Sequence, residues 1–221
     1  MIQMKVQPLR LGDTGLSQEE WQKLKKLSNP KKIQNFLNSL PFNFEKGGET
    51  HSSVRFALKR GRIHCFEGAL IAAAALWIQG KRPLLLDLVT VRPDLDHVVA
   101  LFKENGRWGA ISKTNHAVLR YREPVYRNVR ELVMSYFHEY FLDNGRKTLR
   151  SFSKPFDLSK LGRDPASHGV NWIITKENLA YLARRLDRSP HTKILSPKQI
   201  RNLREADKVE IQAGEIVEYR K

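Results

Sequence analysis

The apolar and polar positions of this chain fall into a series of short, well-punctuated segments. Ser17-Gln-Glu-Glu20 has the spacing of a capping box and predicts a helix running to about Leu27. Asn29-Pro30 then supplies an N-cap and a first-turn proline for a second helix that ends near Leu40. Residues 41–50 are turn-rich around Gly47-Gly48, and a short helix over residues 52–59 is stopped by Gly61. Residues 65–79 are the most apolar segment, with small side chains from Ala72 to Ala75, and read as a buried helix closed by Gly80.

The period then changes. Residues 83–91, rich in Leu and Val, predict a buried strand, and residues 97–102 a second. Asn105-Gly106 is a hairpin signal leading into a third strand over residues 107–113. A two-residue loop there makes Glu104 face Arg107, Val99 face Ser112 and His97 face Thr114. Alternation along the strands then puts His97 and Ser112 on one face as diagonal neighbours, and turns Asp96 and Asn115 to the other. Apolar positions at helical spacing predict a helix over residues 125–141. Residues 143–168 read as a linker or extended loop, residues 175–186 and 197–206 as short helices, and residues 209–219 as a hairpin around Ala213-Gly214. Three parts follow: an N-terminal helical segment (1–50), a central domain (51–141) and a C-terminal extension (142–221).

Charge narrows the setting. The 39 Lys and Arg against 23 Asp and Glu leave a net charge of +16, which favours an anionic partner. The basic residues are scattered, with no zinc-finger spacing or aromatic RNA-binding pattern beside them, so specific nucleic-acid binding is not indicated. No segment is long and apolar enough to span a membrane, and Met1-Ile-Gln-Met-Lys5 lacks the apolar core of a secretory signal. A single cysteine without such a signal implies a reducing, cytoplasmic location.

That cysteine is Cys65, at the first position of the buried helix. It has no partner for an internal disulfide and no companion thiols for a zinc site, which leaves a packed thiol or a nucleophile. A helix N-terminus stabilises a thiolate, and His97 downstream is a candidate base. Glu67 in the same turn opposes thiolate formation, whereas Lys59 and Arg62 favour it. His64, as a sequence neighbour of Cys65, is expected to point elsewhere. Adjacent residues such as His64, Cys65, Asp96 and His97 seldom converge on one ion, so neither a metal nor a cofactor is expected. The dense run from Tyr121 to Arg127 reads as a loop held by ion pairs, or as a rim for an acidic ligand.

The ordered set His64-Cys65-Phe66-Glu67-Gly68, Leu84 to Val91, Asp96-His97 to Phe102 and Arg107-Trp108 to Ser112 resembles the transglutaminase-like superfamily. The resemblance covers roughly residues 50–115. It implies an α+β fold with a papain-like core, in which a Cys-bearing helix packs on an antiparallel sheet, with helical N- and C-terminal additions. It also implies Cys65 as nucleophile and His97 as general base. The family's aspartate, four residues after the tryptophan, corresponds here to Ser112, and Asn115 is an alternative third member in the papain manner. The implied function is a cysteine hydrolase or acyltransferase acting on an amide of a peptide or protein through a Cys65 thioester. Two other readings stand beside it: a catalytically inactive relative that binds a peptide or protein, and a basic nucleic-acid-associated protein.

Overall fold

A computed structural model describes residues 6–163 and 171–220 of the chain. Residues 1–5, read above for a signal, and residues 164–168, read as the end of a linker, lie outside the described residues. A single turn, α1 (Leu11–Thr14), precedes α2 (Gln18–Lys26) and α3 (Pro30–Ser39). The Ser17 hydroxyl accepts the Glu20 N–H at 3.2 Å, and the Glu20 carboxylate accepts the Ser17 N–H at 2.8 Å. Asn29 Oδ1 caps α3 by accepting the Lys32 N–H at 2.8 Å. Next comes α4 (Val54–Arg60), ended by Gly61 at a φ of +70°, which a glycine adopts without strain.

The long helix α5 (Cys65–Ile78) is buried at every residue from Phe66 to Leu76. Such a helix must be covered on all sides. Helices α2, α3 and α4 cover one side, and strands β1 (Leu84–Val89) and β2 (His97–Glu104) cover the other. The strands β3 (Arg107–Ile111) and β4 (Arg122–Tyr126) extend the sheet beyond β2. The helix α6 (Val129–Met134) follows, and then β5 (Ser151–Ser153) and β6 (Phe156–Asp157) both pair with the free edge of β1. After α7 (Ala180–Asp187), β7 (His191–Lys193) pairs with β5. Two short helices, α8 (Pro197–Arg201) and α9 (Lys208–Gly214), close the described chain. Among the described residues this is an α+β fold, a seven-stranded antiparallel sheet in the order β4-β3-β2-β1-β5-β7, with β6 beside β1 off this path and helices on both faces. Leu85, Ala100, Phe102 and Ile111 face α5, and Leu86, Leu88, Val99 and Leu101 face α6 and the segment after it.

The hairpin between β2 and β3 has the expected register: Glu104 pairs with Arg107, and Ala100 with Ile111. Asn105 and Gly106 take positive φ values of 48° and 77°, as a two-residue turn requires. Three expectations are corrected. The helix placed over residues 125–141 is replaced by an edge strand to Tyr126, then α6, then one 3₁₀ turn at Phe137–Glu139. Asn128 marks the true start, since its side chain accepts the Glu131 N–H at 2.9 Å, and Pro124 is tolerated because β4 lies at the sheet edge. The hairpin placed over residues 209–219 is α9, opened by Asp207, whose N–H donates to the Glu210 carboxylate at 2.7 Å. The stretch read as a linker supplies β5 and β6.

Close packing at the start of α5 yields a test of this arrangement. A Cβ added at Gly68 would lie 2.7 Å from Lys113 Cβ, an atom fixed to the backbone. At an exposed helical site Gly→Ala stabilises by about 1 kcal/mol, whereas overpacking a filled core costs about 1–3 kcal/mol. Gly68→Ala is therefore expected to lower the urea midpoint; an unchanged or raised midpoint would show that the helix is not held so tightly.

Candidate active site

Cys65 sits where the first-turn N–H groups of α5 have no acceptor within the helix. It is partly exposed, and two imidazoles approach it. The first belongs to His64, which precedes the helix in an extended conformation, with φ −108° and ψ −171°. Its Nε2–H donates to the Thr50 carbonyl at 2.6 Å, and its Nδ1 lies 3.9 Å from Cys65 Sγ. The expectation that His64 would point elsewhere rested on helical spacing, which does not apply to an N-cap residue.

The second imidazole is His97, buried at the first position of β2. Its Nε2 lies 2.7 Å from Ser112 Oγ. Ser112 donates its own proton to the Leu119 carbonyl at 2.5 Å. With that proton committed, the hydroxyl can only accept from His97, so Nε2 carries hydrogen and Nδ1 is the nitrogen left for the thiol. The Ser112 backbone is gripped as well: its N–H donates to Gln34 Oε1 at 2.9 Å, and its carbonyl accepts from Gln34 Nε2 at 2.7 Å. Lys113 next to it is buried, donating to the Leu37 and Leu40 carbonyls at the end of α3 at 3.0 and 2.5 Å. Burial pulls the Lys113 pKa down, and those carbonyls supply the hydrogen bonds its ammonium needs.

The electrostatics follow from these contacts. Burial is the largest influence on Cys65 and raises its pKa; hydrogen bonds to His64 and His97, with the charge of both imidazoles, outweigh it and hold the thiol well below its ordinary value. For His64, burial lowers the pKa, but the bond to Cys65 and the charges of Cys65 and Glu67 prevail and raise it to about 9. Glu67 is fully buried and paired with Arg60, so its charge is largely met; Arg60, rather than Lys59 or Arg62, does this. Glu67 also accepts the Ser52 N–H at 3.2 Å.

No protein-family model and no curated protein sequence matches this chain. The reading of the site therefore rests on its own geometry. Asn115 is not brought to His97: its side chain accepts the Tyr219 N–H and donates to the Tyr219 carbonyl, both at 2.9 Å. Ser112 takes the place beside the ring. Among the described residues no three His, Cys, Asp or Glu side chains are grouped to hold a metal ion.

The thiol opens onto a cleft of about 530 Å³. Five carboxylates line it, Glu45, Glu49, Asp87, Asp96 and Asp187, against the guanidinium of Arg92 and the imidazolium of His64. The cleft thus reverses the sign of the +16 chain. Burial, then repulsion from Asp96 and Asp187, pushes the Asp87 carboxyl up to about 7, although His191 Nε2 lies 3.3 Å away and opposes the shift.

Two pH effects are expected. Alkylation of Cys65 by iodoacetamide should rise through a midpoint below the ordinary thiol value of about 8.5 and then level off. His64→Ala and His97→Ala should each move that midpoint upward; a wild-type midpoint at or above 8.5 would contradict the paired-imidazole geometry. The depressed thiol contributes stability that is complete above its unfolded pKa and lost as pH falls through the folded value. His64, raised to about 9, contributes stability complete below about 6.5 and lost as pH rises through 9. In Cys65→Ala, the His64 ring signals in an NMR titration should move toward the ordinary midpoint.

Proposed function

We propose that the protein is a cysteine amide hydrolase of the transglutaminase-like, papain-like class. One observation carries this reading: the proton of Ser112 goes to Leu119, so His97 presents Nδ1 to a thiol already inclined to ionise. The packing of a Cys-initiated helix on an antiparallel sheet, with His97 at the start of β2 and Ser112 just past the end of β3, supports the same assignment.

The residues divide the work as follows. The Cys65 thiolate, its proton held by His97, attacks the carbonyl carbon of an amide and forms a C–S bond. The developing oxyanion faces the Cys65 backbone N–H and the positive end of α5. His97 passes its proton to the leaving nitrogen, the C–N bond breaks and an amine departs, leaving a thioester on Cys65. Water, deprotonated by His97, then releases the acid and restores the thiol. A carboxylate behind the histidine would both fix its tautomer and stabilise its charge. Ser112 does the first without the second. The His64 imidazolium places positive charge beside the sulfur instead.

Substrate charge is set by the cleft. Its carboxylates favour a lysine or arginine side chain near the scissile amide, and a bound cation relieves the repulsion that raises Asp87. Peptide libraries read by mass spectrometry are expected to show cleavage beside basic residues, lost in Cys65→Ala and reduced about tenfold or more in His97→Ala. Asp187→Asn should weaken the preference for basic over acidic peptides by several-fold. Absence of any Cys65-dependent cleavage, with peptide binding retained in Cys65→Ala, would identify a non-catalytic peptide-binding protein instead. An anionic partner fits a different surface, the exposed Lys23, Lys25, Lys26, Lys31 and Lys32 of α2 and α3.

A further inference from the structure

The hydrogen bond that sets the tautomer of His97 ends on a backbone carbonyl in an unfavourable conformation. Leu119 has a φ of +61°, in the left-handed region that disfavours any residue with a Cβ. Its carbonyl accepts from Ser112 Oγ in this conformation, whose cost other contacts must offset. The Leu119 N–H donates to Glu139 Oε2 at 2.7 Å. The other carboxylate oxygen of Glu139 lies 2.6 Å from Arg122 Nη2. Arg122 is itself anchored: Nε donates to Ser135 Oγ at 2.9 Å, Nη2 to the Ser135 carbonyl at 3.1 Å, and its guanidinium carbon stacks 4.0 Å above the Tyr136 ring. The Tyr136 hydroxyl donates to the Arg120 carbonyl at 3.0 Å, closing the clamp around the loop.

We propose that Glu139 is a positioning residue for His97, acting through Leu119 and Ser112. This rests on the cysteine-hydrolase reading and supplies what the serine at that site lacks, a carboxylate that governs the imidazole from a distance. Without Glu139, Leu119 relaxes to negative φ and its carbonyl leaves Ser112. The freed hydroxyl can then donate to His97 Nε2, which puts hydrogen on Nδ1, the tautomer that cannot take a proton from the thiol. Arg122 fixes the carboxylate rather than contributing to the chemistry, and the run from Tyr121 to Arg127 is accordingly a scaffold rather than a ligand rim.

The test uses the full chain and the pH profile of iodoacetamide alkylation at Cys65, a readout that needs no known substrate. Glu139→Gln keeps an oxygen for the Leu119 N–H and should leave the midpoint within about 0.2 unit of wild type. Glu139→Asp keeps the charge but withdraws it by one methylene; it and Glu139→Ala should raise the midpoint by about 0.5–1 unit, the size expected for loss of one hydrogen bond. Adding Leu119→Gly to Glu139→Ala, which removes the penalty for positive φ, should restore most of the shift. A merely structural Glu139 would lower the melting temperature in the Asp and Ala variants without moving the midpoint, and that result overturns the proposal alone. An ordinary midpoint in wild type overturns the hydrolase reading, and this proposal with it.

Discussion

Apart from the ion-paired Glu67, helix α5 is apolar all the way round, and the rest of the molecule is arranged to keep water from it. A helix of this kind cannot sit on the surface of one sheet; it needs cover on its far side too. Helices α2 to α4 give that cover, and the sheet gives the rest. At the helix start this enclosure thins, backbone N–H groups remain and the side chain of Cys65 reaches the cleft. Burial and reactivity are thereby linked. The environment that makes an isolated thiolate costly is also the one in which two imidazoles act on it most strongly.

The site draws on distant parts of the chain through a few polar side chains. Gln34 of α3 holds the Ser112 backbone as a neighbouring strand would, just past the last paired residue of β3. Lys113 ties the next residue to the end of the same helix, and Gly68 lets the two segments meet. The position of the serine hydroxyl thus depends on α3 and α5 together. Where β-sheet pairing stops, at Ile111, a side-chain amide and a buried ammonium group take over the task of fixing the backbone.

Much of this was legible in the residues. Local signals worked where they were chemically complete: Ser17 with Glu20, Asn29 with Pro30, and Asn105 with Gly106 each specify a backbone geometry. The hairpin register brought His97 and Ser112 together on paper because side-chain alternation leaves no freedom once the loop length is set. Apolar periodicity failed after Tyr121, where residues at helical spacing are divided between an edge strand, a short helix and a 3₁₀ turn. The caps Asn128 and Asp207 were present but outweighed by the pattern around them. His64 and Leu119 were not legible at all. One depends on an extended residue before a helix, the other on a positive φ in a leucine, and neither leaves a signature in composition or spacing.

The Asn115 side chain, which holds both backbone groups of Tyr219, spans 104 residues of sequence. A further backbone bond joins Ala117 to Ile216 at 2.8 Å. Contacts of such separation are among the costliest to close and belong late in folding. Helix α5, strands β1 to β4 and both imidazoles can therefore pack together before the segment that braces Asn115 has been made.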